Sequence, residues 1–276
     1  MSAVTEAPRP LFEVVTQHFA LVFYFDLGRY LIAAGLVTLV LWAGGRWLEL
    51  YRIQQRRAAP ADYRREVLSS LRTVFVFAVT TLSTVAMREA GLVRFSLGDF
   101  SWGMLAVQTI AIIIAHDAYF YWMHRTIHHK RLFRTWHLHH HKSRTPTPWA
   151  AYSFAAPEAV VEAAFVPLYL FAATQLGVEV IGFAVFLFLW HMIFRNVIEH
   201  CGVEIFPRGW ADNPLTGWWN TVTHHDLHHS AGTYNFGLYF TWWDRSMGTA
   251  HPRYREAFRA VTTGVREPGQ VAEPAQ

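Results

Sequence analysis

Apolar and polar positions fall in long blocks along this chain rather than in short periods. The first apolar block runs from about Leu27 to Trp47, with LIAAGLVTLVLWAGG at its centre. About 20 apolar residues suffice to cross the hydrocarbon core of a bilayer, so this block predicts a transmembrane helix. Trp42 and Trp47 suit its interfacial ends. A second block covers Thr73 to about Ala90, and a third covers Trp102–Tyr121. Residues 154–175 and 178–198 are two further apolar stretches separated by QLGVE, which predict a helical hairpin that enters and returns. Counting that pair as one excursion gives an all-α chain with about four transmembrane helices.

The polar blocks set boundaries and orientation. MSAVTEAPRP is polar and proline-bearing and predicts a frayed end. Residues 11–25 carry Glu13, Gln17 and His18, so residues 1–26 read as an N-terminal, interfacial segment. Arg46, Arg52, Arg56, Arg57, Arg64, Arg65 and Arg72 fall between the first two apolar blocks, which places that loop in the cytoplasm. The third block returns to the same side where His124, Arg125, Lys130, Arg131 and Arg134 begin, whereas GLVRFSLGDFSWG carries little charge and fits the other side. The prolines of KSRTPTPW forbid helix and predict an extended connector. Residues 27–260 form one domain, and 261–276 read as a disordered tail.

Composition agrees. The chain is 53% hydrophobic and 16% charged, against about a quarter charged in soluble domains. The net charge of +4 sits in particular loops, which indicates membrane topology and not nucleic-acid binding. A lone Cys201 excludes an intramolecular disulfide and any multi-cysteine metal site. No cleavable signal peptide is expected, because no basic segment precedes an apolar core. Lys130 and Lys142 are the only lysines, and this arginine-rich composition points to a bacterial inner membrane.

Histidine is the anomaly: 16 in 276 residues, eight of them between His116 and His141. Spacing defines three boxes: His124-x-x-x-His128, His137-x-x-His140-His141 and His225-x-x-His228-His229. On a helix, positions i, i+3 and i+4 share one face, so each box is expected to aim its imidazoles in one direction. Eight imidazoles exceed the four ligands of a structural zinc and suit two five- or six-coordinate ions. Nitrogen-rich ligation is compatible with iron, copper, zinc or nickel. The expected architecture is therefore a membrane protein with a cytoplasmic, helical, histidine-rich metal-binding cap. His129 and His139 break the spacing and are expected to lie outside the ligand set, while His224 beside box three and His116 before box one are candidate ligands or partners of ligands. Asp117 is expected to orient a ligating imidazole through its N–H. Glu158, Glu162, His191, Arg195 and Asn196 interrupt the last apolar pair and should face the protein interior.

HDAYFYWMHRTIHH, WHLHHHKS, HHDLHHS and NFGLYFTWWDRSMGT together resemble the fatty acid hydroxylase/sterol desaturase superfamily over roughly residues 110–250. The resemblance implies an integral-membrane di-iron enzyme that hydroxylates or desaturates a sterol, fatty acid, sphingoid base or carotenoid. It implies O2 as co-substrate and electrons from NAD(P)H through a separate redox protein, of ferredoxin or cytochrome b5 type, since no fused haem or cluster domain is recognisable. It carries iron ligation to His124, His128, His137, His140, His141, His225, His228 and His229, and the IEHCG context adds His200. Asn235 and Asp244, in the segments after box three, are expected to buttress the site. Ala156-Pro157-Glu158 departs from the family, which often carries histidine before this proline, and the departure argues against a site role there. The competing reading is a membrane metal transporter or metal-binding protein using the same clusters. A zinc hydrolase would need an HExxH motif, which is absent.

Overall fold

The computed structural model describes residues 11–264. The frayed end expected at residues 1–10 and the tail beyond residue 264 lie outside the described residues. Helix α1 spans Leu11–Glu49 and kinks at Gly45, whose φ is 43°. It runs through residues 26 and 27 without a break, so the described residues 11–26 are continuous with the first apolar helix. The stretch from Phe12 to Leu27 holds neither proline nor glycine, so nothing in it ends a helix.

Helix α2 covers Pro60–Glu89 and begins well before the expected Thr73. Proline is favourable at a first helical position, and the Asp62 carboxylate accepts the Ala59 N–H at 2.9 Å while taking Arg65 at 2.6 Å. Strand β1 is Phe95–Ser96, and α3 is Trp102–Ile127, opened by Ser101 Oγ accepting the Met104 N–H at 3.1 Å. A single turn, α4, covers Phe133–Trp136, and 3₁₀ turns follow at His140–Lys142 and Pro148–Tyr152. Then come α5 (Ala156–Ala163), α6 (Phe165–Gln175), β2 (Val180–Ile181) and α7 (Gly182–Glu199). Helices α8 (Val222–Ala231), α9 (Trp242–Ser246) and α10 (Tyr254–Thr263) complete the chain.

By length and composition five helical stretches can cross a membrane: most of α1, α2, α3, α5 with α6, and α7. The sequence led to about four. The difference lies in the last apolar pair, whose two arms are each long and apolar enough alone. Residues 261–263, expected to begin the tail, are helical. Tyr254, Ala257, Phe258 and Val261 recur at helical spacing and are all buried, so their burial carries α10 to Thr263.

Every one of these long stretches brings one end to the same place. After α1, the Ile53 N–H reaches the Gly202 carbonyl just past α7 (3.1 Å). The first turns of α2 hold the proline-rich connector, with Thr147 Oγ1 donating to Glu66 at 2.6 Å and Ser70 Oγ donating to the Trp149 carbonyl at 2.9 Å. The C-terminal ends of α3 and α7 and the N-terminal end of α5 meet there too, through the histidines described next. Elsewhere β1 pairs in parallel with β2. Around the common end Arg56, Arg57, Arg64, Arg125, Arg131 and Arg134 are exposed.

Candidate metal centre

The last turn of α3 supplies His124, and His128 caps its C-terminus one turn on. Box two is not on an α-helix. His137 caps the single turn of α4, and His140 and His141 sit in the 3₁₀ turn that follows. His200 caps α7. Box three lies on α8, which Thr221 opens by accepting the His224 N–H at 3.3 Å. Gly232, at φ 70°, closes α8 in the left-handed conformation that glycine adopts freely.

These residues gather in two groups. His124, His128, His137, His141 and His228 form one, and His140, His200, His225 and His229 form the other. Within each group one nitrogen per ring lies within 4.8 Å of all the others. The expectation that each box points one way is corrected. In box two, His137 and His141 enter the first group and His140 the second. In box three the roles swap, with His225 and His229 in the second group and His228 in the first. On α8 adjacent side chains diverge by about 100° while i and i+4 nearly superimpose, so box three serves two centres at once; in box two the turn from α4 into the 3₁₀ segment makes the same division. The groups adjoin: the rings of His141 and His229 are 5.0 Å apart, and those of His140 and His229 4.7 Å.

The outer nitrogens explain the inner ones. Nδ1 of His124 faces the Phe236 carbonyl at 2.9 Å, that of His200 the Asn196 carbonyl at 2.7 Å, and that of His228 the Tyr234 carbonyl at 2.7 Å. A carbonyl only accepts, so each Nδ1 carries the proton and each Nε2 presents a lone pair. His137 is fixed likewise, its Nδ1 donating to the Glu158 carboxylate at 2.6 Å. Two such lone pairs, on His124 and His137, then face each other at 3.0 Å with no hydrogen between them. That contact is repulsive unless a cation lies among the nitrogens. The other Nε2 pairs stand at 3.0–3.2 Å. With metal–nitrogen bonds of about 2.0–2.1 Å, neighbouring ligands around one ion would be roughly 2.9–3.4 Å apart. The donor sets therefore fit two metal ions, one with five imidazoles and one with four.

Glu158 was missed. Ala156 stands before Pro157 where the family often carries histidine, and that departure argued against a site role for the segment, yet the buried Glu158 carboxylate is the anion that backs a ring of the first group. The available signal was an acid in an apolar stretch. Asp117 does the opposite of what was expected: it orients no imidazole but accepts the Tyr239 and Phe240 N–H groups at 2.9 and 3.2 Å. His116 enters neither group and lies among Phe165, Phe188 and Tyr239. His224 is buried but turned away, its ring on Tyr254 and its Nε2 3.6 Å from Asp244. Asn235, at φ 58°, donates to the His224 carbonyl and accepts the His251 N–H. Asp244 gathers the Phe236 and Gly237 N–H groups, both at 2.9 Å, and so sets the loop whose carbonyl holds His124. His139 bonds Ser69 at 2.7 Å and His129 is exposed, both outside the groups as expected.

A Cβ on Gly237 would stand 2.7 Å from the Phe240 carbonyl and 2.9 Å from Asp244. Gly237→Ala should therefore displace this loop and destabilise the protein by about 1–3 kcal/mol, read as a fall in unfolding temperature in detergent.

Burial strips water from the rings outside the apolar helices and lowers their proton affinity. His200 falls to about 4, partly opposed by the Asn196 carbonyl, and His224 to about 3, with Arg245 and His251 adding to burial. The unfolded chain takes up these protons near 6.5 and the folded one does not. Stability is thus intact above pH 6.5 and falls as the pH drops toward 4. His200 alone accounts for on the order of 3 kcal/mol. Chelator-treated protein should show its unfolding temperature fall across that window.

Beside both groups lies a cavity of about 250 Å³ between α1, α2, α3, α5, α6 and α7. Its wall includes Phe120, whose ring is 5.0 Å from His124, and Phe154, 5.2 Å from His140.

Residues 109–249 match the fatty acid hydroxylase family. The chain is 31% identical to a Δ(7)-sterol 5(6)-desaturase of Aspergillus fumigatus over 70% of its own length and 64% of the relative's. It is 28% identical to the lathosterol oxidase of Mus musculus over 68% of its length and 61% of the relative's. It is 33% identical to a very-long-chain aldehyde decarbonylase of Oryza sativa subsp. indica over 59% of its length and 26% of the relative's. The chain thus spans less than two thirds of the length of each of these three proteins. No solved structure matches it. With the family match covering all three boxes, His200 and the loop that holds His124, the chain belongs to the fatty acid hydroxylase family.

Proposed function

We propose that this chain is a membrane oxidoreductase that holds two iron ions on its nine gathered histidines and uses O2 and external electrons to hydroxylate or desaturate a lipid. The observation that carries the reading is the pair of imidazole groups with inward lone pairs, set against an apolar cavity. Bound iron supplies O2 activation and removal of hydrogen from an unactivated C–H bond. The chain's own part is positioning. Backbone carbonyls and Glu158 hold the rings in one tautomer. Phe120 and Phe154 form the dry wall between rings and cavity, where a lipid's C–H is held and bulk water kept out. The relatives' names, desaturase and oxidase, support redox chemistry on a sterol-like lipid.

Charge supports one side of the membrane for the site. The arginine-rich loop between α1 and α2 lies at the histidine end, which supports a cytoplasmic site by the positive-inside rule. In a bacterial inner membrane that side meets NAD(P)H-linked carriers, and the exposed arginines would steer an acidic ferredoxin or cytochrome b5-type donor. A metal transporter would instead place ligands along a path through the bilayer, and both groups sit at the helix ends. The test is metal analysis of purified protein together with lipid mass spectrometry of cells with and without the gene. Iron near two equivalents and a lipid gaining one oxygen or losing two hydrogens are expected. Protein from iron-replete cells that holds no iron, with an unchanged lipid profile, would overturn the proposal.

A further inference from the structure

The cavity beside the histidines is apolar but not uniformly so. Five of its lining side chains are ionisable: Asp26, Arg29, His116, Tyr152 and Glu162. Arg29 already has its counterion, although its Nε makes no hydrogen bond with any described residue. It pairs with Asp26 one turn away, and its Nη1 donates to the Leu189 carbonyl at 2.8 Å. Both members of that pair are buried, so the guanidinium has its counterion inside the protein and is not free to take an anion. Asn196 spends its amide on the Ala151 carbonyl at 2.8 Å. Glu162 differs. It stands one turn beyond Glu158 on the same helix, lines the cavity, and makes no hydrogen bond or ion pair with any described residue. Glu158, by contrast, is fully engaged with His137 and the Ala155 N–H.

A carboxyl group without a partner in an apolar cavity is costly unless a ligand completes it. Resting on the reading of this cavity as the lipid site, we propose that Glu162 is a specificity-determining residue that accepts a hydrogen bond from a neutral hydroxyl on the substrate lipid. The cavity therefore selects lipid alcohols and rejects free fatty acids. Charge sets the sign. An entering fatty acid carboxylate finds Arg29 already neutralised by Asp26 and meets Glu162 as a second carboxyl, so the two must share a proton or repel. A hydroxyl brings a donor to acceptor oxygens and adds no charge. Sites built to bond a hydroxyl discriminate strongly against ligands that leave the buried partner unsatisfied.

The experiment measures equilibrium binding of tritiated octadecanol, octadecanoate and octadecylamine to the protein in uncharged nanodiscs, without O2 or reductant. Octadecanol should bind about tenfold or more tighter than octadecanoate. Glu162→Gln, which keeps size and adds an amide donor, should gain octadecanoate binding by about tenfold and so erase most of the preference. Glu162→Leu should lose octadecanol binding and leave iron content at the wild-type level. Equal binding of alcohol and acid by the wild type would overturn the proposal, as would a preference that survives in Glu162→Gln. Tighter binding of octadecylamine than of octadecanol would overturn it in favour of a cationic head. Binding is read without turnover, so an alcohol-selective protein that contains no iron would sink the oxidase reading alone. An iron-loaded, active protein with no head-group preference would sink this one alone.

Discussion

His225→Ala is expected to lose one of two bound metal equivalents and to reduce O2-dependent lipid oxidation to background. His225 belongs to the smaller group, where its Nε2 stands 3.1 Å from that of His200 and 3.2 Å from that of His229. Its loss leaves three imidazoles there and opens one coordination position, so the ion should be held much more weakly and lost on purification. His228→Ala is the informative contrast. His228 lies three residues on in the same box but belongs to the five-membered group, which keeps four rings after the change. That protein should retain more metal than His225→Ala while losing turnover by more than the roughly 10–100-fold typical of removing an outer partner. Metal-to-protein ratios of the two variants, purified side by side, decide the matter. Identical metal losses would mean that the boxes do not divide between two centres.

Glu158→Ala carries the second large effect. Its carboxylate is the only charged partner that the described residues offer to any of the nine Nδ1 atoms. Removing it deprives a buried N–H of its acceptor and removes the negative charge that strengthens His137 as a donor to metal. Metal affinity of the five-histidine group should fall by about 10–100-fold, with the four-histidine group unchanged. Glu158→Gln keeps an acceptor oxygen without the charge and should fall between wild type and alanine. Titration of chelator-stripped protein with Fe(II) reads this as one weakened binding step out of two. Two equally weakened steps would indicate a general loss of structure, and two unchanged steps would show that the contact does not tune the centre.

The imbalance between the groups follows from their surroundings. In the five-histidine group, His124, His137 and His228 have their outer nitrogens bonded. In the other, His200 alone does among the described residues, which offer no partner to the buried Nδ1 of His140, His225 and His229. Rings held at both nitrogens are pre-oriented for metal, and rings held at one are freer to turn.

Much of this was legible in the chain. Block hydrophobicity is a local property, so α2, α3 and α7 could be placed, and the histidines of the boxes could be picked out from spacing, with His200 added by the family resemblance. For box three, spacing on a helix also contains the split between two centres, because adjacent residues diverge; the reading of one direction per box overlooked His228 beside His229, whereas box two is divided by a turn that the spacing does not show. What the sequence by itself determined was the kind of protein and the inventory of imidazoles, because apolar length and residue type need no partner to be recognised. Only the tertiary structure decided which ring joins which group, that Glu158 rather than Asp117 backs a ring, and that Glu162 is left unpartnered in the cavity. Each of those depends on backbone carbonyls and side chains brought together from distant parts of the chain, such as Phe236 against His124 and His200 against His140. Contacts of that kind arise from how the helix ends converge, and no local pattern encodes them.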